Sequence, residues 1–356
     1  MRLSVLDQST VVSGRSADQS IRESLALARH CEALGYHRYW VAEHHNSVSI
    51  AGTAPEVLIA AIAATTTRIR VGSAGVMLPH YSALKVAEQF RVLEAIAPGR
   101  IDLGLGRAPG SDGLTAHALN PNAAVAAEHF PAATRDLMAW LRGERLVERH
   151  PFRDVIAMPQ GPGAPEVWIL GSSDFGAQVA AHFGLPFCFA HFITDGAGCG
   201  EAMETYRTLF KPSAELAVPY AAVCCWALAA ESEAAAERLF SSRALARLWR
   251  DKGVFAPLPS PEEAAAYSYS PGEQARMERI RARAFWGTAD VVEERLRGLA
   301  AELGVDEVAV LSTCHDAGAR QESYRLLAQA FDLGGGAEVE GSMGVRPQAD
   351  GALLAS

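Results

Sequence analysis

The run Tyr39-Trp40-Val41-Ala42-Glu43-His44-His45-Asn46 passes from apolar and aromatic residues straight into a carboxylate and two imidazoles. Residues 39–42 suit a strand covered on both faces. Glu43, His44 and His45 cannot be buried there without partners, because unpaired polar groups are costly inside a protein. The run therefore reads as a core strand that opens into a polar site. An imidazole titrates near neutrality, so one of His44 and His45 is a candidate for acid–base work, with Glu43 as a carboxylate that holds one of the two rings. Adjacent strand residues point to opposite faces, so only one imidazole need enter the site. A histidine pair at a strand end can also be structural. Histidine and glutamate are good metal ligands too, but no third ligand with suitable spacing appears, and a metal site is not expected.

Three further stretches end apolar runs in small or polar residues: Ser73-Ala74-Gly75-Val76-Met77, Gly104-Leu105-Gly106-Arg107 and Gly171-Ser172-Ser173-Asp174. Small residues let a flat ligand approach the backbone. Arg107 offers a permanently charged fork suited to phosphate. Ser172 and Ser173, opening a helix, present hydroxyls and free backbone N–H groups to an anion. Together they describe a phosphate-bearing planar cofactor, with Ala42, Ala74, Gly75, Arg107, Gly171, Ser172, Ser173 and Gly176 as its expected contacts. Plainer readings exist for each: Arg107 as a bridge to an acidic loop, and the serines as helix caps. "GLGRAPG" lacks the spacing of a dinucleotide fingerprint. His191-Phe192 suits a cavity wall or a loop core equally, and Cys314-His315 completes no triad and reads as rim packing.

These residues need strands to hold them. Short apolar runs at 3–7, 37–42, 69–73, 100–106, 167–170, 186–190, 220–229 and 307–311 read as strands. Between and after them, amphipathic stretches at 17–34, 54–66, 83–96, 123–141, 173–183, 198–210, 232–240, 290–303 and 319–331 read as helices. About eight strand–helix units result, the number that closes a parallel barrel. The fold class is therefore α/β, a TIM (β/α)8 barrel over residues 1–333, with residues 334–356 expected to be a disordered tail. Segments 107–122, 191–200 and 251–272 exceed the minimal barrel. They are expected as insertions in the loops of its C-terminal face, where barrel enzymes carry their sites.

Composition narrows the partners. The 356 residues are 49% hydrophobic and 21% charged, ample for a large core. A formal net charge of −9 gives no reason to expect nucleic acid or an anionic membrane. The six cysteines are scattered without a CxxC pair, as for buried thiols in a cytoplasmic protein. No secretory signal or membrane-spanning run is read.

The chain resembles the bacterial-luciferase-like flavin monooxygenases from residue 1 to about residue 332. The matching stretches are "SVLDQS", "YWVAEHHN", "VGSAGVMLPHYSALKVAEQF", "GRIDLGLGRAPGSD" and "ILGSSDFGAQVAA". They point to the single-chain subgroup, which includes natural-product tailoring oxygenases. The resemblance implies a TIM barrel using reduced FMN (FMNH2), supplied by a separate NAD(P)H-dependent flavin reductase. Oxygen would be activated as a C4a-(hydro)peroxyflavin and inserted into an organic substrate. By position, His44 matches the catalytic base, Ala74-Gly75 the place of a non-proline cis peptide under the flavin, and Arg107 with Ser172-Ser173 the phosphate clamp. Gly106 stands where luciferases carry a reactive cysteine, so that thiol is not required here. The aldehyde pocket of true luciferases is not recognisable, so light emission from a fatty aldehyde is not expected. The alternatives are an F420-dependent hydride-transfer enzyme of the same superfamily and a non-catalytic flavin-binding protein. A bulky apolar or aromatic substrate and a homodimer complete the expectations.

Overall fold

The computed structural model describes residues 1–334, so the expected tail, apart from Gly334, lies outside the described residues. Its strands are β1 (Arg2–Asp7), β2 (Arg38–Val41), β3 (Arg70–Met77), β4 (Ile101–Gly106), β5 (Glu166–Gly171), β6 (Phe187–Phe189), β7 (Ala221–Ala229), β8 (Phe285–Gly287) and β9 (Glu307–Leu311). Eight of them close a parallel ring in the order β1-β2-β3-β4-β5-β6-β7-β9. Closure is made where Cys188 faces Ala222, Cys224 faces Ala309, and Ala309 faces Ser4. Helices follow the strands and return the chain for the next parallel pairing. The expected (β/α)8 barrel is what forms.

The period of two sorts each strand between two environments. Val5, Tyr39, Val41, Val71 and Leu103 face outward into the layer shared with the helices. Leu6, Trp40, Trp168, Cys188, Cys224 and Trp226 face inward and fill the barrel. With both faces covered, β7 is buried at every position, which is why such strands read as unbroken apolar runs.

The two ends of the ring differ chemically. At the N-terminal end Arg38 meets Asp102 at 2.9 Å, Glu307 at 3.0 Å and Glu166 at 3.2 Å. Arg70 joins the same Asp102 and Glu166, and Ser4 donates to Glu307. The carboxylates hold the Arg38 guanidinium firmly in its charged form, against the opposing effect of burial. One layer up, Trp40 and Trp168 meet edge to face at 5.0 Å, and the Trp40 indole N–H donates to Asp102. Charge and indole rings thus plug this end, and any cavity must open at the other.

Asp7 of the "SVLDQS" stretch has a structural role. It is fully buried, pairs with Arg320 at 2.8 Å and accepts the Tyr39 hydroxyl at 2.7 Å. These partners hold its carboxyl below the usual range despite burial. They also fasten the last helix, Ala317–Ala330, to β1.

Several expected boundaries shift. The stretch 123–141 is two helices, Ala123–Glu128 and Phe130–Arg142, broken at His129 because Pro131 can sit only in a first turn. The helix expected to stop at 240 continues as Glu233–Asp251. The insertion that follows carries helices Pro261–Ala266 and Pro271–Arg283, each opened by a Ser-Pro-x-Glu capping box. β8 has no counterpart among the expected strands. It pairs only with residues 227–229 of β7 and stays outside the closed ring. No helix among the described residues is long and apolar enough to cross a membrane.

Candidate active site

A cavity of about 940 Å³ opens at the C-terminal end of the barrel. That is near the upper end of the roughly 300–1,000 Å³ usual for ligand sites. Its wall takes residues from the ends of successive strands, including His44, Ala74, Gly75, Arg107, Gly171, Ser172, Ser173 and Gly176. Eight of the nine residues singled out from the sequence therefore meet at one place. Ala42 does not reach the wall. It lies in the buried interior layer with Leu6 and Trp40.

The floor depends on close backbone packing. The Ala74-Gly75 peptide is cis. A Cβ at Gly75 would meet the Gly104 carbonyl at 2.7 Å and Leu170 at 2.8 Å. Glycine here lets β3, β4 and β5 approach one another, as well as leaving the surface flat. Gly171 and Gly176 bring β5 against the helix Asp174–Phe183 with less constraint: a Cβ at Gly176 would crowd Phe187 at 3.2 Å, whereas one at Gly171 would meet nothing closer than 3.5 Å. The N-terminus of that helix is thereby set at the cavity edge.

That edge is built for an anion. Ser173 is the N-cap but makes no side-chain cap bond, so the capping reading is not realised and the first-turn N–H groups stay available. Arg107 stacks over Phe175 in the same first turn, with its guanidinium carbon 3.8 Å from the ring centre. It is exposed and forms no ion pair among the described residues, so the bridge to an acidic loop is absent.

The Glu-His-His run divides its labour. Glu43 is fully buried and accepts from His45 Nε2 at 2.8 Å, from the Tyr81 hydroxyl at 2.7 Å and from the Met77 amide at 3.0 Å. It therefore holds His45 and not His44. Burial and this carboxylate raise the Tyr81 phenol well above its ordinary range. His44 lines the cavity, and its buried Nδ1 has no partner among the described residues. Burial, helped by nearby Arg250 and His45, pulls its pKa down to about 4. The near-neutral titration expected of this imidazole is thus displaced, and at pH 7 it is neutral.

The remaining candidates separate. Phe192 lines the cavity, whereas His191 is buried against Phe285. Cys314 is buried, which pushes its thiol up to about 12, and His315 bonds the Ser13 carbonyl at 3.0 Å. Both are packing residues. What the sequence reading missed is Arg243, Arg247 and Arg250, which line a smaller cavity adjoining the first. Their i, i+4, i+7 spacing is visible in the sequence, but such a stripe ordinarily marks a solvated helix face.

A family profile described as luciferase-like monooxygenase matches residues 1–307. A luciferase-like monooxygenase of Escherichia coli K12 is 42% identical over 91% of this chain and 95% of its own length. An N-acetyl-S-alkylcysteine monooxygenase of Bacillus subtilis is 35% identical over 93% of this chain and 98% of its own. Among solved structures, apo-MsnO8 superposes with a TM-score of 0.85 at 38% identity, covering 93% of this chain and 98% of that one.

Proposed function

The chain belongs to the luciferase-like monooxygenase family, and from that premise we propose that it uses reduced FMN and O2 to oxygenate a small organic molecule. The observation that supports a phosphate-bearing flavin is the anion-ready edge of the cavity, where Arg107, unpaired among the described residues, stands over an uncapped helix N-terminus. A terminal phosphate suits that edge, and the flat floor of Ala74, Gly75 and Gly171 suits a planar ring system. The orphaned Nδ1 of His44 adds a buried polar atom whose partner the protein does not supply. The residues present therefore fit a flavin mononucleotide.

Reduced flavin, when bound, supplies the electrons and the site at which O2 is activated. The protein binds, orients and keeps the site dry. Arg107 with Ser172 and Ser173 would hold the phosphate, and the cis-linked Ala74-Gly75 would support the ring. His44, neutral at pH 7, can accept a proton at an imidazole nitrogen and return it later. Phe130, Phe175, Phe192 and Phe255 give the wall an apolar character that fits a bulky apolar or aromatic substrate body.

Arg107→Ala is expected to weaken binding of reduced FMN by about 10- to 100-fold, the range of a charge-assisted hydrogen bond, while riboflavin binding barely changes. Anaerobic titration of both flavins, with F420 as a third arm, checks this. Equal losses for FMN and riboflavin would remove the phosphate from Arg107, and a preference for F420 would replace the cofactor. A separate reductase is part of the same proposal, since the sequence carries no nicotinamide fingerprint. The purified chain with FMN should therefore oxidise NADH or NADPH no faster than free FMN does, and rapid oxidation would overturn the two-component reading.

A further inference from the structure

Beside the main cavity lies an annex of about 100 Å³. The two share wall residues, among them Gln8, Phe192, Arg250 and Phe255, so they adjoin. Arg243, Arg247 and Arg250, all on helix Glu233–Asp251, line the annex, and no aspartate or glutamate does.

The three arginines are not equivalent. Arg247 is neutralised by Asp195 at 3.2 Å and Asp251 at 3.6 Å, and it also donates to the Phe192 carbonyl. Arg243 and Arg250 make no side-chain hydrogen bond or ion pair with a described residue. Arg243 lies over the ring of Trp226, its guanidinium carbon 4.4 Å from the ring centre, and both line the annex. Trp226 is itself fixed by its bond to Thr313 at 2.9 Å. Partial burial and the neighbouring cation Arg247 pull Arg243 down to about 9, still protonated at neutral pH, and the same cation lowers Arg250. Arg243 is half-buried and Arg250 exposed, so both guanidinium groups remain open to a ligand entering the annex. They stand in a protein of formal net charge −9, so the local sign opposes the overall one. A cleft lined by one sign of charge concentrates ligands of the other.

We propose that the substrate is an organic acid whose carboxylate is held by Arg243 and Arg250 in this annex. Its apolar body then extends into the main cavity, on whose wall His44 stands. The assignment rests on the flavin reading of the main cavity. It concerns a different cation set, however, because Arg107 lies at the end of β4 and Arg243 over a side chain of β7.

The test is calorimetric titration of the FMN-loaded protein with a series of phenyl-substituted acids, from phenylacetate to 6-phenylhexanoate, and with the matching primary amides. At least one acid is expected to bind about 10- to 100-fold more tightly than its amide, as for hydrogen bonds to a charged group. Arg243→Met and Arg250→Met should each erode that preference while leaving amide and FMN affinities unchanged. If no wild-type acid outbinds its amide, the proposal falls, and this comparison needs no variant to fold. It also falls if folded variants keep the full preference, or lose FMN binding instead. Should FMN itself fail to bind, the flavin reading fails separately, and the acid–amide comparison is still read on the flavin-free protein.

Discussion

His44→Ala keeps the barrel and its flavin affinity but turns over about 10²- to 10⁴-fold more slowly, the usual worth of a positioned proton transfer. The imidazole is at the cavity wall and bonds to no other side chain, so its removal disturbs no network. His45→Ala should cost less activity, because that ring, although it also lines the cavity, has its Nε2 engaged by Glu43. The pH dependence follows from the depressed pKa of about 4, against about 6.5 for a free imidazole. The competent neutral form is complete above both values and is lost only as pH falls through about 4. Between pH 5 and 8 the wild-type profile should therefore carry no limb from His44, and the variant should lie uniformly below it. Product formation per bound flavin, followed by mass spectrometry over a panel of aryl acids and arylalkanes, checks both statements. Equal turnover at matched flavin occupancy would reduce His44 to a packing residue, and a limb near pH 6.5 absent from the variant would contradict its burial.

Arg38→Met is expected to destabilise the fold by about 3–5 kcal/mol, the cost of breaking a buried ion pair from one side. Its guanidinium meets Asp102, Glu307 and Glu166, and the first two carboxylates are fully buried. Without it, Arg70 is the one cation left among the described residues at Asp102 and Glu166, while Glu307 keeps only neutral donors from Ser4 and Tyr220. Flavin affinity of the folded fraction should be unchanged, since the site lies at the opposite end of the barrel. Adding Glu307→Gln to Arg38→Met should restore part of the loss, because the uncompensated charge is removed along with the missing partner. Urea unfolding of the single and double variants measures this. A loss below about 1 kcal/mol would place these charges among the weak surface pairs.

Local chemistry in the sequence determined a good deal here. Parallel-barrel strands are buried on both faces, so residues 220–229 stand out as an apolar run, and the Glu-His-His break after Ala42 marks a strand end. The Ser-Pro-x-Glu boxes at 260 and 270 are equally legible, although the Pro-, Ala- and Tyr-rich composition around them reads as irregular. The resemblance to luciferase-like proteins unites His44, Arg107 and the Ser172-Ser173 turn in one site on sequence grounds alone. The arginines at 243, 247 and 250 are different, because Ser241 and Ser242 interrupt the apolar spacing and make the helix read as ending at 240. Nothing local joins Arg243 to Trp226 and Gln8, or Arg250 to His44. Ring closure between β7, β9 and β1 makes those neighbours. Charge state followed the same division, since an imidazole's pKa is set by what surrounds it in space. Residue type and period decided which strands and helices form. The closed barrel alone decided which charges lose their water and which face one another across the cavity, because burial and Coulomb energy depend on distance through space.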